Sequence, residues 1–267
     1  ASGIIENCNI YGVKSALVSH TTGKVDVVNS NLHSNSSAAL INYKSGIVNI
    51  DNSSVISDNH VGVYNSESGQ ININDSEIIG LNSETNEYRW IHGIYNKSAG
   101  IININGDTIV KNKGTKDYTN TVILNDGGGT INLNGIPASF DNNGIYQGGI
   151  YLESNVGQVI RNNGIMKING VYAKSLTNQN IFNNIADSAI AYISNSLFDD
   201  GLVRNEGTGI INICSGSING STTSNIDLSN EKEGYIYYTD SVIFKNNIFN
   251  DYNNQNHILK NNNLVCN

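Results

Sequence analysis

The chain's only tryptophan, Trp90, lies in the polar stretch Ser83-Glu-Thr-Asn-Glu-Tyr-Arg-Trp-Ile91, with Tyr88 and Arg89 before it. A second polar stretch, Lys113-Gly-Thr-Lys-Asp-Tyr-Thr119, carries Tyr118. Tyr, Trp and Arg dominate binding hot spots because each joins a broad apolar face to a polar edge. The chemistry they point to is recognition rather than bond making. Tyr64 and Tyr95 join them as candidates, each five residues before a glycine, Gly69 or Gly100. Aromatic faces with asparagines nearby suit stacking on sugar rings. Tyrosine is also common on any sheet surface, and a loop tryptophan also serves as an apolar anchor, so the structural alternative stands beside the functional one.

Reaction chemistry has less support. Glycoside hydrolysis uses two facing carboxylates, but the acids here are scattered, with Asp199-Asp200 as an adjacent pair. Glu84, Glu87, Asp107 and Asp117 stand nearest the two polar stretches. His20, His33, His60, His92 and His257 show no metal-ligand spacing. No Gly-Gly-x-Gly-x-Asp calcium array and no Gly-x-Ser-x-Gly elbow occurs. No metal, cofactor or catalytic residue is therefore expected. Cys8, Cys214 and Cys266 are far apart and odd in number, and they are expected as buried thiols.

The elements that would position these residues come from a repeat. Gly46-Ile-Val-Asn-Ile, Gly69-Gln-Ile-Asn-Ile, Gly100-Ile-Ile-Asn-Ile and Gly129-Thr-Ile-Asn-Leu are one phrase, with further copies at Gly23 and Gly209. Apolar residues alternate with polar ones, the period of a half-buried strand. Val25, Val48, Ile71, Ile102 and Ile131 should point inward, and so should Val27, Ile50, Ile73, Ile104 and Leu133. Asp26, Asn49, Asn72, Asn103 and Asn132 should point outward. A second column, Asn42, Asn65, Asn96 and Asn125, stands four residues before each glycine, with Leu40, Val63, Ile94 and Ile123 two residues earlier still. Each coil thus has at least two strands. The glycine steps from Gly23 are 23, 23, 31 and 29 residues. The longer steps keep both columns, so the additional residues loop out of a solenoid. The two aromatic stretches occupy the same place in neighbouring coils, about 4.8 Å apart, and should emerge on one side.

Composition agrees with this architecture. Of 267 residues, 48 are Asn, 14% are charged and a single Pro, Pro137, is present. Asn disfavours helix interiors and tolerates the positive φ of tight corners, and Asn29-Ser30, Asn52-Ser53 and Asp75-Ser76 mark such corners. The net charge of −8, with Arg89, Arg161 and Arg204 the only arginines, argues against a nucleic-acid partner. No apolar run reaches membrane-spanning length. Residues 3–22 read as an incomplete first coil, 221–233 as a loop, and Asn250–Asn267 as a fraying last coil or a cut edge. Between them, Ile181-Phe-Asn-Asn, Ala189-Ile-Ala-Tyr-Ile and Tyr235-Ile-Tyr-Tyr read as strands.

The whole, residues 1–267, reads as one all-β domain, a right-handed parallel β-helix of about ten coils with loop insertions. The Gly-x-Ile-Asn-Ile and Asn-x-Gly-Ile phrases resemble passenger domains of bacterial autotransporters and related surface adhesins. The resemblance covers most of the chain, rests on architectural motifs and carries over no functional residue. The chain begins in mid-pattern at Ala1-Ser-Gly-Ile-Ile, which reads as a boundary inside a longer protein, and the resemblance implies that this fragment is at the bacterial surface or secreted from it. Such a fragment would attach to a host-cell receptor or glycan, or associate with itself through its parallel edges. β-Helical polysaccharide lyases and hydrolases and phage tailspikes share the architecture and form the alternative. Of the polygalacturonase motifs only His92-Gly93 and Asp199-Asp200 occur, in the wrong order.

Overall fold

The alternating Gly-x-Ile-Asn-Ile phrase forms one face of a right-handed parallel β-helix. The computed structural model describes residues 2–81, 91–115, 120–137, 139–142, 146–177 and 179–266. Three long parallel sheets run along the stack. The first has 11 strands, from Gly3–Glu6 to Ile258–Lys260. The second and third have 10 each, from Asn9–Gly12 to Val242–Phe244 and from Leu17–Ser19 to Phe249–Asp251. Each full coil therefore contributes three strands, one more than the two sequence columns mark.

The inward columns are as expected. Val48, Ile71, Ile102 and Ile131 lie in register in the first sheet and are buried, as are Ile50, Ile73, Ile104 and Leu133. Leu32, Val55, Ile78, Val110 and Leu152 from the second sheet, and Leu40, Val63, Ile94, Ile123 and Ile160 from the third, complete one continuous core. The outward residues bond to one another: Asn49 Nδ2 donates to Asp26 at 2.6 Å, Asn72 to Asn49 at 2.7 Å and Asn103 to Asn72 at 2.8 Å.

The second asparagine column lies inside the third sheet and is wholly buried. Asn65 Nδ2 donates to Asn96 Oδ1 at 3.0 Å and to the Gly69 carbonyl at 2.8 Å. Asn96 repeats this toward Asn125 (3.0 Å) and the Gly100 carbonyl (2.9 Å). The ladder continues through Asn162, Asn184 and Asn205 to Asn230. It begins at Asn42, below which the register places Ser19, and Asn42 Oδ1 has no partner among the described residues. This ladder explains the glycines. A Cβ on Gly69, Gly100 or Gly129 would lie 2.2 Å from Nδ2 of Asn42, Asn65 or Asn96 in the preceding coil.

Corners between the first and second sheets use Asn7, Asn29, Asn52 and Asp75 with φ of 45° to 53°, a region their short polar side chains tolerate. The serine that follows links the coils: the Ser30 N–H donates to Ser53 Oγ at 3.0 Å, and the Ser53 N–H to Ser76 Oγ at 3.1 Å. The two insertions, 82–90 and 116–119, both connect the second sheet to the third in adjacent coils. A third addition, the antiparallel hairpin Ser139–Phe140 and Tyr146–Gln147, lies instead between the first and second sheets.

Four expectations need correction. The first coil is complete, with strands Gly3–Glu6, Asn9–Gly12 and Leu17–Ser19, because paired backbone closes it even though its columns lack the Asn and Gly signature. The segment 221–233 contains the third-sheet strand Leu228–Asn230. The buried Asp227 carboxylate fixes the chain around it by accepting the N–H groups of Gly220, Asn246 and Asn247 at 2.9, 2.9 and 2.7 Å. The terminal segment is held rather than frayed, since Ile258–Lys260 pairs with Tyr235–Tyr238. Finally, Cys214 and Cys266 form a disulfide, and Cys8 is exposed. Spacing alone misses this pair because the tail folds back across the first sheet. Closing a loop of 52 residues stabilises by about 4 kcal/mol in the chain-entropy account.

The ladder gives a direct prediction. Asn96→Ala would leave Asn65 Nδ2, Asn125 Oδ1 and the Gly100 carbonyl short of a partner in a dry interior. We expect a loss of at least about 3 kcal/mol in urea unfolding, with hydrogen exchange rising first in the coils that contain residues 65 and 125. Exchange spread evenly along the stack would contradict a role local to the ladder.

Candidate functional site

The outer face of the third sheet is where the aromatic column leads. Ile41, Tyr64, Tyr95 and Leu124 lie in register there, followed by Arg161. β-Branched and aromatic residues pack well across neighbouring rungs. Here they gather into a second apolar cluster with Ala38, Val61 and Tyr43. Tyr64 and Tyr95 lie 5.1 Å apart between ring centroids, tilted by 30°, and His20 stacks on Tyr43 at 4.7 Å. Against the expectation of two outward rings, Tyr95 is only 5% exposed, whereas Tyr64 is half-buried.

Tyr64 and Tyr95 line a groove of about 560 Å³ together with Ala38, Ile41, Tyr43 and His60, with Lys97 and Asp126 at its polar end. This is the size range of a small-ligand site. The Tyr95 hydroxyl donates to Asp126 Oδ2 at 3.4 Å. Asp126 Oδ1 accepts the Gly127 N–H and Asn163 Nδ2, each at 2.9 Å, which fixes the carboxylate in place. Burial, then the Asp126 charge, pushes the Tyr95 hydroxyl up to about 12, so it stays a donor. The floor is apolar and aromatic and the rim offers one cation, one anion and hydroxyls. Such a surface suits a ligand with alternating apolar and hydroxylated faces.

Next to Tyr95, at a T-shaped 5.5 Å, lies the wholly buried His92. Its Nδ1 accepts the Thr121 N–H at 3.2 Å and faces Thr121 Oγ1 at 2.7 Å. Burial, reinforced by the charges of His60 and Arg161, lowers its pKa to about 3. His92 is therefore neutral, and its Nε2 has no partner among the described residues. It supports the groove from behind and does not line it.

Tyr88, Arg89, Trp90 and Tyr118 lie outside the described residues, as do Glu84, Glu87 and Asp117. Asp107 is placed at the corner between the first and second sheets, where its Oδ1 accepts the Gly149 N–H at 2.6 Å. His92 and Asp199 belong to different sheets. Among the described residues no group of three His, Cys, Asp or Glu could hold a metal ion. Among them, too, no helix is long and apolar enough to cross a membrane.

One cluster has no counterpart in the sequence reading. Tyr151 and Tyr172 stack in register on the second sheet at 5.3 Å, and Phe140 and Tyr146 of the hairpin close over Tyr172 at 5.3 and 5.2 Å. Tyr172 donates to Asp199 Oδ2 at 3.2 Å, and Tyr151 donates to Glu153. Burial and these carboxylates raise both phenols. The signal was present in Gly149-Ile-Tyr-Leu and Gly170-Val-Tyr-Ala, a repeat whose phase differs from the Gly-x-Ile-Asn-Ile series. The contacts explain how the hairpin docks. Comparison of the chain with protein-family models, curated proteins and solved structures finds no match. The class that the fold defines is therefore the parallel β-helix itself.

His92 sets a pH dependence. Its folded pKa lies below its ordinary 6.5, so the unfolded chain binds the proton first and stability falls as pH drops from about 6.5 toward 3. We expect His92→Asn to flatten this part of a stability-versus-pH curve measured by urea unfolding. An unchanged slope in the variant would show that other groups govern acid sensitivity.

Proposed function

We propose that this chain is a binding module of the bacterial exterior, an adhesin fragment of the autotransporter-passenger type, and that it acts without catalysing a reaction. The observation that carries this reading is the groove on the third sheet, floored by the Tyr64–Tyr95 pair. Paired rings give stacking surface at low entropy cost, and the fixed Asp126 carboxylate and the Tyr95 donor beside them give direction. A host-cell glycan, or a glycan-bearing receptor, fits that chemistry. The Cys214–Cys266 disulfide supports an oxidising location such as the cell exterior. The scarcity of charged residues (14%) and the long parallel edges leave self-association as a second use of the same body.

The test is saturable binding of the purified chain to a glycan array and to host epithelial cells, with sedimentation run in parallel. We expect Tyr64→Ala to lose at least about tenfold in affinity with unchanged circular dichroism, and Tyr64→Phe to keep most of it. Binding indifferent to Tyr64→Ala would place the receptor contact elsewhere. A chain that binds nothing but cleaves an added polysaccharide would favour the enzymatic alternative.

A further inference from the structure

The outward amide columns of the first sheet end differently from how they run. From Asn49 through Asn103, every Oδ1 accepts the Nδ2 of the next coil. Asn132 donates to Asn103 at 2.8 Å, but the residue above it in register is Lys167. Asn132 Oδ1 therefore accepts nothing among the described residues. In the neighbouring column Asn105 donates to Asn74 at 2.8 Å, and then the chain of bonds breaks. Asn134 Oδ1 accepts Asn169 Nδ2 at 3.1 Å, while Asn134 Nδ2 donates to no described residue. Lys167 is exposed and forms no ion pair among the described residues.

These three free groups line one groove of about 580 Å³ on the outer face of the first sheet. Cys266 supplies one of its walls. The disulfide to Cys214 holds the tail there, with the Cys266 sulfur 3.7 Å from the Asn212 carbonyl oxygen. Asn212 stands two rungs from Lys167. Lys167 is the only ionisable side chain among the described residues that line the groove, and the rest of its polar lining consists of amides and one hydroxyl, from Ser194.

We propose that this groove is a second binding site, distinct from the tyrosine groove, and that it takes a carboxylate-bearing saccharide. The Lys167 ammonium receives the carboxylate, Asn132 Oδ1 accepts a sugar hydroxyl, and Asn134 Nδ2 donates to a sugar oxygen. A lone cation suits a single carboxylate per sugar, since a sulfated chain calls for clustered bases. Apart from Leu133 and the Cys266 sulfur, the lining side chains are four amides, one hydroxyl and the ammonium, a set of donors and acceptors that matches a hydroxylated saccharide better than an acidic peptide. The net charge of −8 opposes long-range attraction of an anion, so the contacts within the groove must supply the affinity. The disulfide makes the site redox-dependent, because reduction frees the tail that forms its wall.

The test is calorimetric titration of the chain with a hyaluronan tetrasaccharide, its carboxyl-reduced form and a tetraglutamate peptide. We expect saturable binding of the first alone. Lys167→Glu should weaken it at least about tenfold, Lys167→Arg should retain it, and Cys214→Ser with Cys266→Ser should weaken it. Tyr64→Ala should leave it unchanged, which separates this site from the tyrosine groove. Circular dichroism of each variant confirms folding, and Lys167 is exposed, so its replacement does not disturb the core. Absence of binding, equal affinity for the carboxyl-reduced sugar or the peptide, or indifference to Lys167→Glu would overturn the proposal.

Discussion

The buried asparagine ladder is the constraint on which the rest of the structure depends. A primary amide in a dry interior is costly unless its donors and acceptor are all met. Here each Nδ2 meets the next coil's Oδ1 and a carbonyl of its own coil, as Asn65 does with Asn96 and Gly69. The condition is reciprocal, so no coil can slip by one residue without exposing two unmet amides and turning its apolar set outward. It also dictates the glycines, because the Asn65 side chain occupies the space that a Cβ on Gly100 would need. The two sequence columns are one interaction seen from both ends.

A stack whose stability comes from nearest neighbours can change its outer face without disturbing its core. The first sheet carries an amide lattice from Asn49 to Asn132, and the third carries Tyr64, Tyr95, Leu124 and Arg161 over the same coils. Over these coils the apolar inner columns hold only Val, Ile and Leu. The outward columns can therefore vary while the ladder is kept. The tyrosine groove draws on successive coils, from Ala38 to Asp126, and so runs along the stack axis.

Toward the C-terminus the repeat chemistry is exchanged for other devices. Asp251 stands where the ladder would place the next asparagine, and its Oδ2 accepts the His257 N–H at 2.8 Å. Asp227 organises the turn before it, and Tyr238, Phe244 and Phe249 pack edge to face at 5.0 to 5.6 Å. The disulfide adds a covalent link across the first sheet.

The sequence by itself determined the coil, the inward and outward residues of its repeated strand, the four-residue spacing of asparagine and glycine and the common place of the two insertions in the repeat. These follow from a local period of two and from columns that repeat along the chain, both visible without coordinates. Only the tertiary structure decided the third strand of each coil, the closure of the first, the burial of Tyr95, the docking of Phe140 and Tyr146 on Tyr172, and the Cys214–Cys266 bond. Each of these depends on which residues of different coils meet across irregular steps, or on a tail returning over a face already built. Periodicity records how a strand faces the core. It holds no information about what a hairpin or a terminus will cover, because that is set by surface shape and by chain reach.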